Sequence, residues 1–234
     1  MKLQYFGFEI SEALYKQSHT TIQAIHSQSS DKELNSKIAN VLIKITEVGF
    51  DAYYYKPSDM IQISPVVKKA ADTGIVAVRR GIHMVIRKLF KNMPTQELEK
   101  LAAYMGTLLT HENNNSTPRY FVAFNLSPEL YSLAQELLAR VSQDPEIEGY
   151  RQNIISALNK LIRAGVEAYY ETPSNMINIG RIMRKTADVG ISTAEKGSNI
   201  VVKKLFNVVP HKALIPLSSY FESLLHDNLH TRAS

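Results

Sequence analysis

The chain has 234 residues, of which 44% are hydrophobic, and it carries a formal net charge of +5. That length and apolar fraction suit one or two packed domains and exclude a disordered chain. With no cysteine there are no disulfides, thiolate metal sites or cysteine nucleophiles, and the net positive charge favours anionic partners over cationic ones.

The N-terminal residues lack the apolar core of a secretory signal, and no apolar run is long enough to span a bilayer. The sequence therefore reads as a soluble, cytoplasmic protein. Phe6-Gly7-Phe8-Glu9-Ile10 alternates like a short strand and runs into Ser11, a good helix N-cap. A first helix is expected to about residue 28, followed by a polar turn. The second helix carries Leu34, Ile38, Val41, Leu42, Ile45 and Val48 at the spacing of one buried face. Pro57 is expected to end it, because proline disfavours helical geometry in the residue before it. The third and longest helix covers about 64–91, with Val67, Ala71, Ile75, Val78, Ile82, Val85 and Leu89 on one face. Gly74 and Gly81 lie on that apolar side, which points to a close helix crossing or to backbone approach to a ligand. A fourth helix is expected from near Pro94 to about Thr110.

All of this occurs twice. Ala52-Tyr53-Tyr54, Pro57-Ser58 and Met60-Ile61 return as Ala168-Tyr169-Tyr170, Pro173-Ser174 and Met176-Ile177, an offset of 116 residues. Lys69-x-Ala71-Asp72-x-Gly74-Ile75 returns as Lys185-x-Ala187-Asp188-x-Gly190-Ile191 at the same offset. The strand repeats as Val122-Ala123-Phe124-Asn125-Leu126 before Ser127-Pro128, and the long helix repeats over about 180–207. Two lone strands cannot satisfy their backbones, so they are expected to pair with each other or with a second chain. The last helix of the second half carries Pro216 where the first half has Lys100, and is expected to be kinked or to start later. The tail from Asp227 is expected to fray. The sequence thus predicts a mainly α protein, a tandem duplication of a short strand plus a four-helix bundle, the two related by a pseudo-twofold axis. The repeats cover 1–112 and 120–234, with a polar linker at 113–119.

Four features are candidates for function. The first is the basic face of the long helices: Lys68, Lys69, Arg79, Arg80, Arg87 and Lys88, answered by Arg184, Lys185, Lys203 and Lys204. A stripe of this kind suits phosphate groups or carboxylates, and equally suits a solvated face that keeps the protein soluble. The second is the tyrosine pairs Tyr53-Tyr54 and Tyr169-Tyr170, either an aromatic wall for an apolar ligand or ring-inward plugs at the bundle ends. The third is Asp72 and Asp188, read as surface ion pairs with Lys68 and Arg184 four residues away and with Lys69 and Lys185 three away. The fourth is histidine: His19 with His26 and His226 with His230 share helical spacing, but nothing near them resembles a metal-binding carboxylate set. No phosphate loop, nucleophile elbow or zinc-protease motif occurs. The expectation is a non-enzymatic binding or scaffolding protein, without cofactor or metal. It would present its basic helix faces to an acidic lipid surface or an acidic protein, and homo-oligomerisation is possible. The alternatives are a nucleic-acid-binding protein using the same stripe, and a carrier or enzyme for an apolar small molecule at the tyrosine-lined helix ends.

Overall fold

The computed structural model describes residues 3–27, 33–61, 64–112, 118–143, 150–178 and 180–231. The sequence-predicted turns at 28–32 and 144–148, the linker at 113–117, and Ile63 and Ile179 lie outside them. The protein is mainly helical with a small antiparallel sheet. The first half runs β1 (Tyr5–Ile10), α1 (Glu12–His26), α2 (Leu34–Phe50), a π-helical turn (Asp51–Tyr55), α3 (Lys56–Met60), α4 (Pro65–Phe90), α5 (Thr95–Leu108) and β2 (Leu109–Glu112). The second runs β3 (Arg119–Asn125), α6 (Pro128–Gln143), α7 (Tyr150–Val166), a π-helical turn (Glu167–Glu171), α8 (Thr172–Met176), α9 (Arg181–Phe206), α10 (His211–Glu222), β4 (Leu225–His226) and β5 (His230–Thr231). Ser11 caps α1 by accepting from the Leu14 N–H at 3.2 Å, and Ser127 accepts likewise from Leu130 ahead of α6.

One sheet takes strands from both halves, in the order β4-β1-β3-β2-β5. The central pair, β1 and β3, is antiparallel with Gly7 opposite Ala123. A Cβ on Gly7 would sit 2.3 Å from the Ala123 Cβ, so only glycine permits this register. β2 adds to β3 through Leu109–Val122 and Thr110–Phe121, and β4 adds to β1 through Leu225–Phe6 and His226–Tyr5. Each of these cross-half pairs is the other moved by 116 residues. Behind the sheet, Phe8 reaches Gly49 of α2 and Phe124 reaches Gly165 of α7. α4 then packs on α2, α9 packs on α7, and α4 packs along α9. The long helices therefore form the layer farthest from the sheet, with their outer faces turned away from the core.

Three parts of the chain depart from the sequence reading. First, Pro57 and Pro173 do not end the second helices; each helix widens by one residue and continues through α3 or α8. The Lys56 N–H donates to the Asp51 carbonyl and the Thr172 N–H to the Glu167 carbonyl, five residues back instead of four. The widened turn moves the carbonyl four residues before the proline clear of the ring, relieving the clash that normally breaks a helix. It also strands one acceptor. The Ala52 carbonyl has lost Lys56 as a donor, and the next candidate, Pro57, has no N–H. The hydroxyl of Tyr220, from the other half, donates to it at 2.7 Å. Tyr104 does the same for the Ala168 carbonyl, also at 2.7 Å. The two halves are clasped by reciprocal tyrosines at the places where proline opened the helix.

Second, α5 ends at Leu108 and residues 109–112 become β2, because the Leu109 side chain joins the core as the strand starts. α10 begins in register with α5 and runs on through Pro216, which is exposed.

Third, the tail does not fray at Asp227. It leaves one edge of the sheet at β4 and reaches the other at β5, where Thr231 pairs with Thr110 and His230 with His111. Leu229 is buried on the way with Tyr5, Phe121 and Ala123. The four residues from 226 to 230 reach at most about 14 Å, and four strand spacings on a flat sheet measure about 19 Å. The sheet is therefore curled around Leu229, and this is why β1 and β3 are buried on both faces.

Packing differs between the halves. An apolar cavity of 60 Å³ lies between α6, α7 and α10, against Leu137, Val141, Ala157, Leu161 and Leu217.

Candidate anion-binding face

α4 starts where Ser64 accepts from the Val67 N–H and Pro65 takes the first helical position, which needs no N–H. Its close run along α9 depends on glycine. A Cβ on Gly74 would stand 3.2 Å from Val201, one on Gly190 3.0 Å from Val85, and one on Gly197 3.1 Å from Val78. Each valine seats in a glycine notch of the other helix, so of the two explanations for the glycines the close crossing holds. Gly81 meets nothing within 4 Å, because Ala194 stands in the second half where the first has Val78.

With the valine–glycine seam towards α9 and the flank bearing Arg79 towards α2, the remaining arc of α4 carries Lys69, Arg80, Met84, Arg87, Lys88 and Lys91, all exposed. The same arc of α9 carries Lys185, Val189, Lys196, Ile200, Lys203 and Lys204, also exposed. Neither arc contains an Asp or Glu. Among the described residues, no carboxylate pairs with Arg80, Arg87, Lys88 or Lys91. These four, with His83 and Met84, line an open groove of 430 Å³. Two apolar tips stand among the cations: Met84 is 56% exposed and Ile200 is 55% exposed, at corresponding positions.

Three of the sequence-predicted basic residues are turned inward or sideways and are already occupied. Lys68 holds Asp59 at 2.5 Å, and Arg79 donates to Glu47 at 3.3 Å. Arg184 donates to the Asn175 side chain at 3.0 Å and to the Ser174 and Ile177 carbonyls, closing the turn after α8. Glu47 also lies 3.1 Å from His83 Nε2. Burial holds the His83 imidazole below its ordinary pKa, aided by Arg79 and Arg87 and opposed by Glu47. His83 also lines the groove.

Asp72 and Asp188 do not make the ion pairs their spacing suggests. Asp72 accepts from the Tyr54 hydroxyl at 2.8 Å, and Asp188 from the Tyr170 hydroxyl at 2.7 Å. The turn that follows each tyrosine folds back onto the long helix, so the phenol reaches the carboxylate before a flexible amine on the same helix does. Burial, then the carboxylate itself, raises both phenol pKa values. Tyr53 stacks on Phe6 at 5.3 Å and meets Phe8 edge-on, and Tyr169 meets Phe124 edge-on at 5.2 Å. Burial raises Tyr53 and Tyr169 as well. The four tyrosines line neither the groove nor the apolar cavity.

His226 is separate from these, tilted over Phe121 at 4.5 Å on the sheet. Among the described residues no three His, Asp or Glu converge as metal ligands, and no helix is long and apolar enough to cross a membrane.

Sequence reasoning found most of the cations on the arc and missed its apolar centre, Met84, Val189 and Ile200. The signal was present in the helical wheel, where these residues fall among the cations and two of them occupy corresponding positions. No protein-family model, curated protein or solved structure matches this chain.

Proposed function

We propose that this is a non-enzymatic binding or scaffolding protein that presents the outer face of α4 and α9 to an anionic partner, either an acidic lipid surface or an acidic protein. The observation that carries the reading is the groove of Arg80, Arg87, Lys88 and Lys91, whose cations no described carboxylate neutralises and which α9 answers with Lys196, Lys203 and Lys204. Unpaired cations clustered on one face concentrate counter-ions and steer anionic partners. The cations that serve the fold, Lys68, Arg79 and Arg184, are a different set from those left open.

The companion reading is architectural. The halves are products of a duplication, related by a pseudo-twofold axis. Supporting it are contacts that recur at the 116-residue offset with the halves exchanged: Tyr104 on Ala168 with Tyr220 on Ala52, and Gly74 on Val201 with Gly190 on Val85.

The test is retention on immobilised heparin at low salt. Replacing Arg80, Arg87, Lys88 and Lys91 by Glu is expected to abolish retention while leaving the helical circular dichroism unchanged. Retention equal to wild type overturns the reading. A nucleic-acid partner using the same face would give a steep linear fall of log affinity for duplex DNA with log salt.

A further inference from the structure

We infer that the anionic partner is the surface of a phospholipid bilayer, on which α4 and α9 lie side by side with Met84 and Ile200 inserted between the headgroups. The inference rests on the anion-binding reading and names its partner.

The argument begins with how the tips are placed. Met84 precedes Val85, which seats against Gly190, and Val189 precedes Gly190. Met84 and Val189 therefore stand beside one contact, on two helices whose outer faces point the same way. Ile200 precedes Val201, which seats against Gly74. Those two contacts are separated by the rise from residue 74 to residue 85, about 16 Å along the helices. The result is two apolar tips on one flat layer. Val189, 61% exposed, strengthens the first of them.

Each tip is ringed in the same way. Arg80, Arg87 and Lys88 lie four residues before, three after and four after Met84; Lys196, Lys203 and Lys204 hold those positions around Ile200. Long basic side chains around an apolar centre let the stems cover hydrocarbon while the charged ends reach phosphate. A bilayer of acidic lipid offers both halves of that arrangement, with anionic headgroups above acyl chains. Duplex nucleic acid rewards the cations alone and leaves Met84 and Ile200 without a counterpart. An acidic protein could bury one tip in a pocket, but two equivalent tips on a plane match a laterally uniform surface. The arrangement also supplies the two signals, charge and hydrocarbon, that reversible surface anchoring requires.

The chain contains no tryptophan, so a single introduced one reports its own environment. Met84→Trp and Ile200→Trp are made separately, with Asn40→Trp on the exposed side of α2 as control. Each is titrated with vesicles of phosphatidylcholine and with vesicles of equimolar phosphatidylcholine and phosphatidylserine. The expected result is a blue shift at positions 84 and 200 with the phosphatidylserine vesicles alone, quenching by brominated acyl chains, and no change at position 40. In parallel, Met84→Ser with Ile200→Ser is expected to weaken partition onto those vesicles by about tenfold, from the apolar area no longer inserted, with heparin retention unchanged. Vesicle binding with no shift at either position overturns insertion and leaves the anion-binding reading standing. Heparin retention without any vesicle binding overturns the bilayer as partner and likewise leaves that reading. Failure to bind either removes both.

Discussion

The two halves run through the same order of helices, α1 to α5 and α6 to α10, but differ in how their cores are filled. In the first, Ile25, Ile38 and Val41 are each no more than 1% exposed. In the second, Val141 and Ala157 stand where the first has Ile25 and Val41, and the 60 Å³ cavity lies against both. The missing methyl groups account for the void, because the helix positions are held by the shared sheet and the α4–α9 seam and do not collapse onto smaller side chains. A smaller core in one half is tolerated so long as the elements that join the halves stay matched.

The largest expected effect breaks that difference directly. Val41→Ala reproduces the second half's deficit in the first and is expected to lower unfolding free energy by about 2–3 kcal/mol, transfer and cavity terms together. The reciprocal Ala157→Val fills an existing void and is expected to gain about 1 kcal/mol, near the cavity term for its volume. Urea unfolding of both variants checks the signs; a loss from Ala157→Val would show that the cavity is too misshapen to take the added methyls.

Next are the clasps, where the halves are alike. Tyr220→Phe leaves the Ala52 carbonyl without a donor, and Tyr104→Phe does so for Ala168. Each is expected to cost about 1–2 kcal/mol, and the two costs are expected to agree. Unequal costs would mean that one stranded carbonyl finds water. Burial pushes the Tyr220 phenol up to about 12. The neutral phenol is thus the form the fold favours. Its contribution is fully present below the ordinary tyrosine pKa and declines as pH rises above it, because there the unfolded chain ionises first.

The smallest effect separates two glycines at corresponding positions. Gly81 faces open space, so Gly81→Ala is expected to stabilise by about 0.8 kcal/mol through helix propensity alone. Gly197→Ala sets a methyl 3.1 Å from Val78 and is expected to lose that gain and a little more. Thermal melts of the pair read this difference, and equal shifts would mean that the seam yields at no cost.

The strand starts, the serine caps, the long helices and the glycine seam were legible in the sequence because each is local or periodic: a cap is a residue and its next turn, and a buried helix face is a spacing. The π-helical turns were not. A proline reads as a helix end unless a donor elsewhere in the chain takes the carbonyl it strands, and Tyr104 and Tyr220 act from 64 and 168 residues away. Asp72 was misread for a related reason, since spacing shows the lysine on the same helix and not the tyrosine that the turn folds back. The cations could be read from sequence as a set, but sorting Lys68, Arg79 and Arg184, which are occupied, from Arg80, Arg87, Lys88 and Lys91, which are open, needed the placement of α2, α3 and α8. By itself the sequence determined which faces are apolar, where helices begin and which residue patterns recur 116 positions apart, because those follow from nearest-neighbour chemistry and period. The tertiary structure alone decided which half would close the other's hydrogen bonds, that the tail would strap the sheet, and which charges remain free, because each depends on what a distant segment brings within a few ångströms.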